Sequence, residues 1–251
     1  MWPYVAQYAN DLNIPVVILS LDPEKAFERV DWPFLFSTLQ KMGFGPSFIG
    51  WVKLLYSDIR SSVIINGYTS RSFKPSRGVR QGCPLSPLLY VFTMEVVGVS
   101  IRANPAITGL RLRGSVTPLP VLSLYADDTS AITTFDPATA AVFDTYALFE
   151  AGTGCKLNLD KCKGLWLGSW RGSSDAPVPI DWASLKLKVL GVFIGNGCMD
   201  DSNWRPRLDA VEKCLNFWHS RSLSYGGKAL VANALAPWWV WYVAYLVRMP
   251  A

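Results

Sequence analysis

Residues 124–132 read LYADDTSAI, with Asp127 and Asp128 side by side between two apolar runs. The patterning on either side, VLSLYA before and TSAITTF after, predicts a hairpin with the two acids at its tip. A two-residue turn favours Asn-Gly or Asp-Gly because its central residues need positive φ, and an Asp-Asp pair offers no glycine. Adjacent carboxylates also repel. A divalent cation reverses that balance, since each carboxylate then neutralises metal charge, and Mg²⁺ favours a small number of carboxylates supplemented by phosphate oxygens. A third acid, Asp22, closes the apolar run VVILSL. If strands 14–21 and 121–126 are neighbours in one sheet, Asp22 and Asp127 reach the same edge. Three carboxylates there can hold two metal ions about 3.5–4 Å apart, the arrangement that serves phosphoryl transfer. Each acid also has an ordinary explanation, a polar turn for Asp127 and Asp128 and a helix N-cap ahead of Pro23 for Asp22. The residues alone leave both open.

The elements that must position these acids read as a mixture of strands and helices. IPVVILSL (14–21) is an unbroken apolar run, the pattern of a strand covered on both faces. Pro23 suits the first position of a helix, and EKAFERVDWPFLFSTLQKMGFG continues as helical material broken at Pro33 and stopped at Gly43. Phe48, Val52, Leu55 and Ile59 then form one stripe at helical spacing. In SSVIINGYTSRSF, Asn66-Gly67 between strand-like runs marks a two-residue hairpin. A Gly/Pro-rich turn region, RGVRQGCPLSP, leads into LLYVFTMEVVGVSI, apolar nearly all round and expected as a buried helix. After the acidic hairpin come an amphipathic helix (PATAAVFDTYALFEAGTG) and a loop leading into a strand (KLNLDKCKGLWLG). A surface loop over 168–181 and a further strand with a glycine kink (LKVLGVFIG, 187–195) follow. From Trp204 onward Leu208, Val211, Leu215 and Trp218 lie on one helical face. Strands and helices mixed without strict alternation, and without an internal repeat, indicate an α+β fold with a mainly antiparallel sheet and a helical tail.

Composition bounds the remaining choices. Half of the 251 residues are hydrophobic and 13% are aromatic, enough for one large core or two modest ones and incompatible with a disordered tail. The formal charge of +5 is a mild basic excess, but no acid lies between Asp58 and Glu95 while Arg60, Arg71, Lys74, Arg77 and Arg80 all do. That local strip suits a polyanionic partner. The five cysteines are odd in number, show no Cys-x-x-Cys pair and have a single histidine, His219, to join them, which argues against a zinc cage. They read as reduced thiols of an intracellular protein, in nucleus or cytoplasm, and the start MWPYVAQYANDLN lacks the pattern of a secretory signal. ALAPWWVWYVAYLV (234–247) is shorter than the ~20 residues of a spanning helix and contains Pro237, so a buried helix is expected and no membrane partner.

Five motifs in order, LDPEKAFERVDW, RGVRQGCPLSPLLY, LYADD, GCKLNLDKCKG and LGVFIG, resemble the successive palm motifs of reverse transcriptases encoded by non-LTR (LINE-type) retrotransposons. The resemblance runs from about Ile14 to about Pro250 and is looser at its end. It implies a polymerase palm, an antiparallel sheet packed on helices, over 1–198 including a primer-grip strand, followed by a partial helical thumb over 199–251. It implies RNA-directed DNA polymerase activity, with nucleotidyl transfer from a deoxynucleoside triphosphate to the 3′-hydroxyl of a DNA primer on an RNA template. Asp22, Asp127 and Asp128 would then be the catalytic carboxylates for two Mg²⁺ ions, which Mn²⁺ can replace. Phe27 matches the bulky residue that crowds the sugar 2′ position, and Arg80, Gln81 and Gly82 match the motif lying against template and incoming nucleotide. Lys161 matches a loop lysine thought to protonate pyrophosphate, where a solvated surface lysine is the ordinary explanation. Arg205, Arg207, Lys213, Arg221 and Lys228 match a thumb holding duplex by its backbone, with Trp204 and Trp218 read as core.

Two departures from the pattern shape the expectation. The family carries a fingers region with basic residues ahead of the first catalytic strand, whereas the 21 residues before Asp22 contain no Lys or Arg and no endonuclease segment is recognisable. Glu28 stands where the motif commonly has Asp. The alternative to an active polymerase is a truncated, inactive remnant that binds nucleic acid non-specifically through its basic residues.

Overall fold

The structure, a computed structural model, describes every residue except 1, 116–117, 119–120, 135, 174, 220 and 248–251; for residues 136, 236, 237 and 239 only the backbone is described. Pro250, the far end of the motif resemblance, lies outside the described residues. In chain order the first half contains α1 (Trp2–Asp11), β1 (Val16–Leu21), α2 (Trp32–Lys41), α3 (Pro46–Tyr56), β2 (Ile64–Ile65), β3 (Tyr68–Thr69) and α4 (Ser86–Ala103). The second contains β4 (Leu122–Tyr125), β5 (Asp128–Thr133), α5 (Asp136–Thr153), β6 (Lys163–Leu167), β7 (Asp181–Ala183), β8 (Lys186–Val189), β9 (Val192–Gly195), α6 (Asp200–His219) and α7 (Tyr225–Leu246). The chain divides into two compact units that interleave along the sequence. One comprises Leu19–Cys162 and Pro177–Asp181, the other Met1–Ile18, Lys163–Ala176 and Trp182–Ala251.

In the unit built on 19–162, the sheet order runs β4-β5-β1. The apolar strand expected at 14–21 is β1, buried along nearly its whole length, and β5 is buried at every position after Asp128. Helix α4 packs on α2, α5 and β4 through Leu89, Tyr90, Thr93, Met94, Val97 and Ile101. Contrary to the expectation of burial all round, its outer face exposes Leu88, Val91 and Val99. By length and composition alone α4 could cross a membrane, a test that core helices also pass. The segment after Asp22 is not helical: residues 24–29 are turns, and Lys25 has φ +50, a conformation that breaks a helix. The helix starts later, at Trp32, with Asp31 as its N-cap accepting from Phe34 N–H at 2.9 Å. Pro33 therefore sits in the first turn, where it lacks only an amide that has no helical partner, and begins the helix instead of breaking it. The stripe expected on α3 is largely unburied: Val52 is covered, while Leu55 is exposed. The Asn66-Gly67 hairpin forms as expected, with φ of +50 and +82 at its two central residues.

In the other unit β8 pairs with β9. The strand expected over 187–195 is in fact this hairpin, closed by Leu190 and Gly191 at φ +47 and +80. Trp204 of α6 is 3% exposed and packs in a small core with Val192, Val243 and Val247, in agreement with its reading as a core residue. Leu208 and Leu215, expected on one apolar face of α6, are exposed. So are Trp238, Trp241 and Tyr245 of α7, which is therefore not the buried helix expected over 234–247. All five cysteines are free thiols.

Candidate active site

The sheet order supplies the site its frame. Because β5 lies next to β1, the residue after β1 and the residues before β5 reach one edge. The hairpin pairs Tyr125 with Asp128, so its two-residue turn is Ala126-Asp127, not Asp127-Asp128. The backbone cost falls on Ala126, which carries φ +54 without being glycine. Asp127 is held at the tip and Asp128 starts the strand.

Asp22 is anchored through its backbone on both sides. Its N–H donates to Cys162 Sγ at 3.4 Å, and its carbonyl accepts from Asn158 N–H at 2.8 Å. Glu24 N–H donates to Lys156 O at 2.7 Å, and Pro23 bridges to Leu157. The GCKLNLDKCKG segment is thereby laid against the residues following β1. Within it Asn158 O accepts from the amides of Lys161 and Cys162, both at 3.0 Å. This tight turn brings Lys161 Nζ to 3.8 Å from Asp22 Oδ2.

A second docked loop completes the wall. Val79 N–H donates to Phe27 O at 2.7 Å, Gly78 N–H to Val30 O at 2.8 Å, and Trp32 Nε1 to Gly78 O at 2.8 Å. Gln81 Nε2 donates to Glu28 Oε1 at 2.8 Å. Gly78 has φ +95, and a Cβ there would lie 3.0 Å from Glu28 O, so the close approach of the loop needs glycine.

The result is one open cavity of about 470 Å³ lined by Asp22, Phe27, Glu28, Gln81, Asp127 and Lys161, with Pro23, Glu24, Lys25, Ala26 and Asn158. Of the residues singled out from sequence, Asp22, Phe27, Gln81, Asp127 and Lys161 meet there. Arg80 is exposed and Gly82 has φ +82 in open space; neither is part of the lining. Asp128 also lies outside it, but partial burial, then the charges of Asp127 and Asp22, push its carboxyl above the usual carboxylate range. Carboxylate oxygens are hard donors of the kind Mg²⁺ takes. Among the described residues no three His, Cys, Asp or Glu side chains already converge as a cage for a metal ion. Mg²⁺ requires no such cage, since it keeps waters and binds through one or two carboxylates together with substrate phosphates.

Sequence reasoning missed Glu28 as a partner of Gln81, Asn158 as the centre of the lysine turn, and Tyr90. The ring of Tyr90 stacks on Phe27 with centroids 4.9 Å apart and planes 13° apart. Its hydroxyl is buried with no hydrogen-bond partner among the described residues, and burial, followed by the coulombic influence of Cys155 and Tyr146 and then of Asp127 and Asp22, keeps it protonated far above its ordinary range. The apolar run LLYVFTMEVVGVSI was the available signal that Tyr90 is buried, though not that it meets Phe27. Near the docked loop, the Cys83 thiol is lowered, first by a backbone hydrogen bond from Leu85.

The sequence profile of the family described as reverse transcriptase (RNA-dependent DNA polymerase) matches residues 5–194. The chain belongs to the reverse transcriptase family. It is 33% identical over 243 residues to the transposon TX1 uncharacterized 149 kDa protein of Xenopus laevis, covering 94% of this chain and 18% of that protein. It is 30% identical over 145 residues to the retrovirus-related Pol polyprotein of the retrotransposable element R2DM of Drosophila melanogaster, covering 58% of this chain and 13% of that polyprotein. These similarities are to non-LTR retrotransposon proteins, of which the chain spans less than a fifth. The structure of a telomerase from Candida tropicalis in complex with a TWJ fragment of telomeric RNA superposes with a TM-score of 0.56 at 12% identity. It covers 92% of this chain and 39% of that one, a likeness that concerns the fold alone.

Proposed function

We propose that this chain carries the polymerising site of a non-LTR retrotransposon reverse transcriptase, extending a DNA primer with deoxynucleotides on an RNA template. The observation that carries the reading is the meeting of Asp22, Asp127, Phe27, Gln81 and Lys161 around a single cavity, brought there from four separated segments. Asp22, Asp127 and Asp128 are the residues that would hold Mg²⁺, or Mn²⁺ in its place, and a divalent ion bound there supplies Lewis-acid activation and neutralises phosphate charge.

The chain's own residues account for the rest. Gln81, fixed by Glu28, presents its amide oxygen and remaining N–H to a nucleotide in the cavity. Phe27 offers a flat apolar surface at the same wall, which suits a sugar lacking a 2′-hydroxyl. In nucleotidyl transfer the primer 3′-hydroxyl releases its proton to water, its oxygen bonds to the α-phosphorus, the bond from α-phosphorus to the β-bridging oxygen breaks, and pyrophosphate leaves. Lys161 Nζ, beside the cavity, is the group placed to give that leaving oxygen a proton. The exposed strip from Arg60 to Arg80 suits phosphate backbone, and the free thiols suit work inside the cell.

The test is primer extension by the full chain on an RNA template, with Mg²⁺ and deoxynucleotides, against Asp127→Asn. Metal-dependent incorporation that disappears in the variant is expected. Salt-sensitive binding of nucleic acid without incorporation, equal in both proteins, overturns the reading in favour of an inactive remnant.

A further inference from the structure

Phe27 is not held by regular secondary structure. It lies in the turns over 24–29, two residues after Lys25 at φ +50, and its carbonyl accepts from Val79 N–H at 2.7 Å. Its ring is nevertheless placed by a second ring. Tyr90 is 1% exposed, sits on the second turn of the 18-residue helix α4, and is flanked on the same buried face by Leu89, Thr93 and Met94. Of the two stacked partners, Tyr90 is therefore the fixed one and Phe27 the one that depends on it.

We propose that Tyr90 is a positioning residue for sugar selection, its ring backing Phe27 so that Phe27 cannot turn aside for a 2′-hydroxyl. This rests on the polymerase reading above and extends it one layer into the core. An aromatic side chain discriminates against one extra hydroxyl only while it holds its place. The nearly parallel stack at 4.9 Å closes the space into which the Phe27 ring would otherwise rotate. The Tyr90 hydroxyl plays no part, since it is buried with no partner among the described residues. The ring alone is what the arrangement uses.

The experiment measures incorporation of a deoxynucleotide and of the matching ribonucleotide by the full chain. It compares wild type, Phe27→Val, Tyr90→Phe, Tyr90→Leu and Tyr90→Met. Tyr90→Phe is expected to keep the wild-type preference. Tyr90→Leu removes the flat surface and is expected to lower the preference about tenfold, in the direction of Phe27→Val, the order of discrimination one small group commands. Deoxynucleotide incorporation serves as the internal measure of folding. If Tyr90→Leu loses it, Tyr90→Met, which fills similar volume without a flat face, is read instead. An unchanged preference in whichever of these variants incorporates overturns the proposal, as does loss of all incorporation in both, which makes Tyr90 a residue of the fold only. A wild-type chain that incorporates nothing overturns the polymerase reading itself and the proposal with it. That outcome is distinct from an active enzyme whose preference ignores Tyr90.

Discussion

Gln81 Nε2 donates to Glu28 Oε1 at 2.8 Å, joining two residues 53 positions apart across the wall of the cavity. Because Glu28 accepts through Oε1, the amide nitrogen of Gln81 faces it and the amide carbonyl oxygen is turned the other way. Glu28→Ala removes that orientation without disturbing buried structure, because both side chains are exposed. The expected result is a severalfold rise in KM for the deoxynucleotide with kcat little changed, and a stability within about 0.5 kcal/mol of wild type. Steady-state primer extension and urea denaturation measure the two. A matching fall in kcat at unchanged KM would contradict this placement.

Lys161 has two possible roles, and they separate cleanly. As a partner of Asp22 at 3.8 Å, with both side chains substantially exposed, it contributes between 0 and about 1 kcal/mol to stability. As a proton donor to pyrophosphate it is worth roughly 10²–10⁴-fold in rate. Lys161→Ala is expected to leave the denaturation midpoint almost unmoved and to lower the single-turnover rate by about a hundredfold or more. A rate within threefold of wild type would return Lys161 to the status of a surface lysine.

How much of this was legible in the sequence depends on how local each signal is. The run VVILSL announced β1 because burial on both faces requires unbroken apolar residues, and Asn66-Gly67 announced its hairpin because two left-handed positions favour those residues. The acids Asp22 and Asp127 were found because their chemistry is anomalous at the ends of apolar strands. What misled was backbone conformation adopted against residue preference. Lys25 and Ala126 enter the left-handed region without being glycine, which abolished the expected helix at 23 and moved the hairpin turn one residue back. Leu190 did the same beside Gly191, turning an expected strand into two. The Tyr90 stack and the Gln81–Glu28 bond join residues far apart in the chain, and no local pattern encodes such a meeting.

Asp128 carries a carboxyl raised by partial burial and by the charges of Asp127 and Asp22. A carboxyl whose folded-state pKa lies above its unfolded value binds its proton more tightly in the folded chain. Ionising it thus costs stability as the pH rises through that value. In buffer free of divalent ions, Asp128→Asn is therefore expected to be as stable as wild type or more stable at neutral pH, with the gap closing as pH falls into the carboxylate range. Adding Mg²⁺ should raise the stability of wild type toward that of the variant, since binding to the folded state alone stabilises it. Incorporation should nonetheless fall on the order of 10³-fold in the variant. Thermal unfolding across pH, with and without Mg²⁺, reads the sign. A variant destabilised at neutral pH in the absence of metal would show that Asp128 is a structural residue of the hairpin.

Gly78 and Gly67 allow backbone strain to be separated from loop docking. Both have strongly positive φ, +95 and +82, but a Cβ at Gly78 would lie 3.0 Å from Glu28 O, whereas at Gly67 it meets nothing within 4 Å. Alanine at either site carries the left-handed penalty of about 1 kcal/mol. At Gly78 it also forces the 77–82 loop away from the turn after β1, weakening the bonds from Val79 N–H to Phe27 O and from Gln81 to Glu28. Gly67→Ala should thus lose about 1 kcal/mol and leave deoxynucleotide KM unchanged. Gly78→Ala should lose roughly 2–3 kcal/mol and raise KM as Glu28→Ala does. The Glu28→Ala, Gly78→Ala double variant should then raise KM no further than Gly78→Ala alone, because displacing the loop already breaks the Gln81–Glu28 bond that Glu28→Ala removes. Additive effects in that cycle would mean that the docked glycine and the Gln81–Glu28 bond act on the cavity separately.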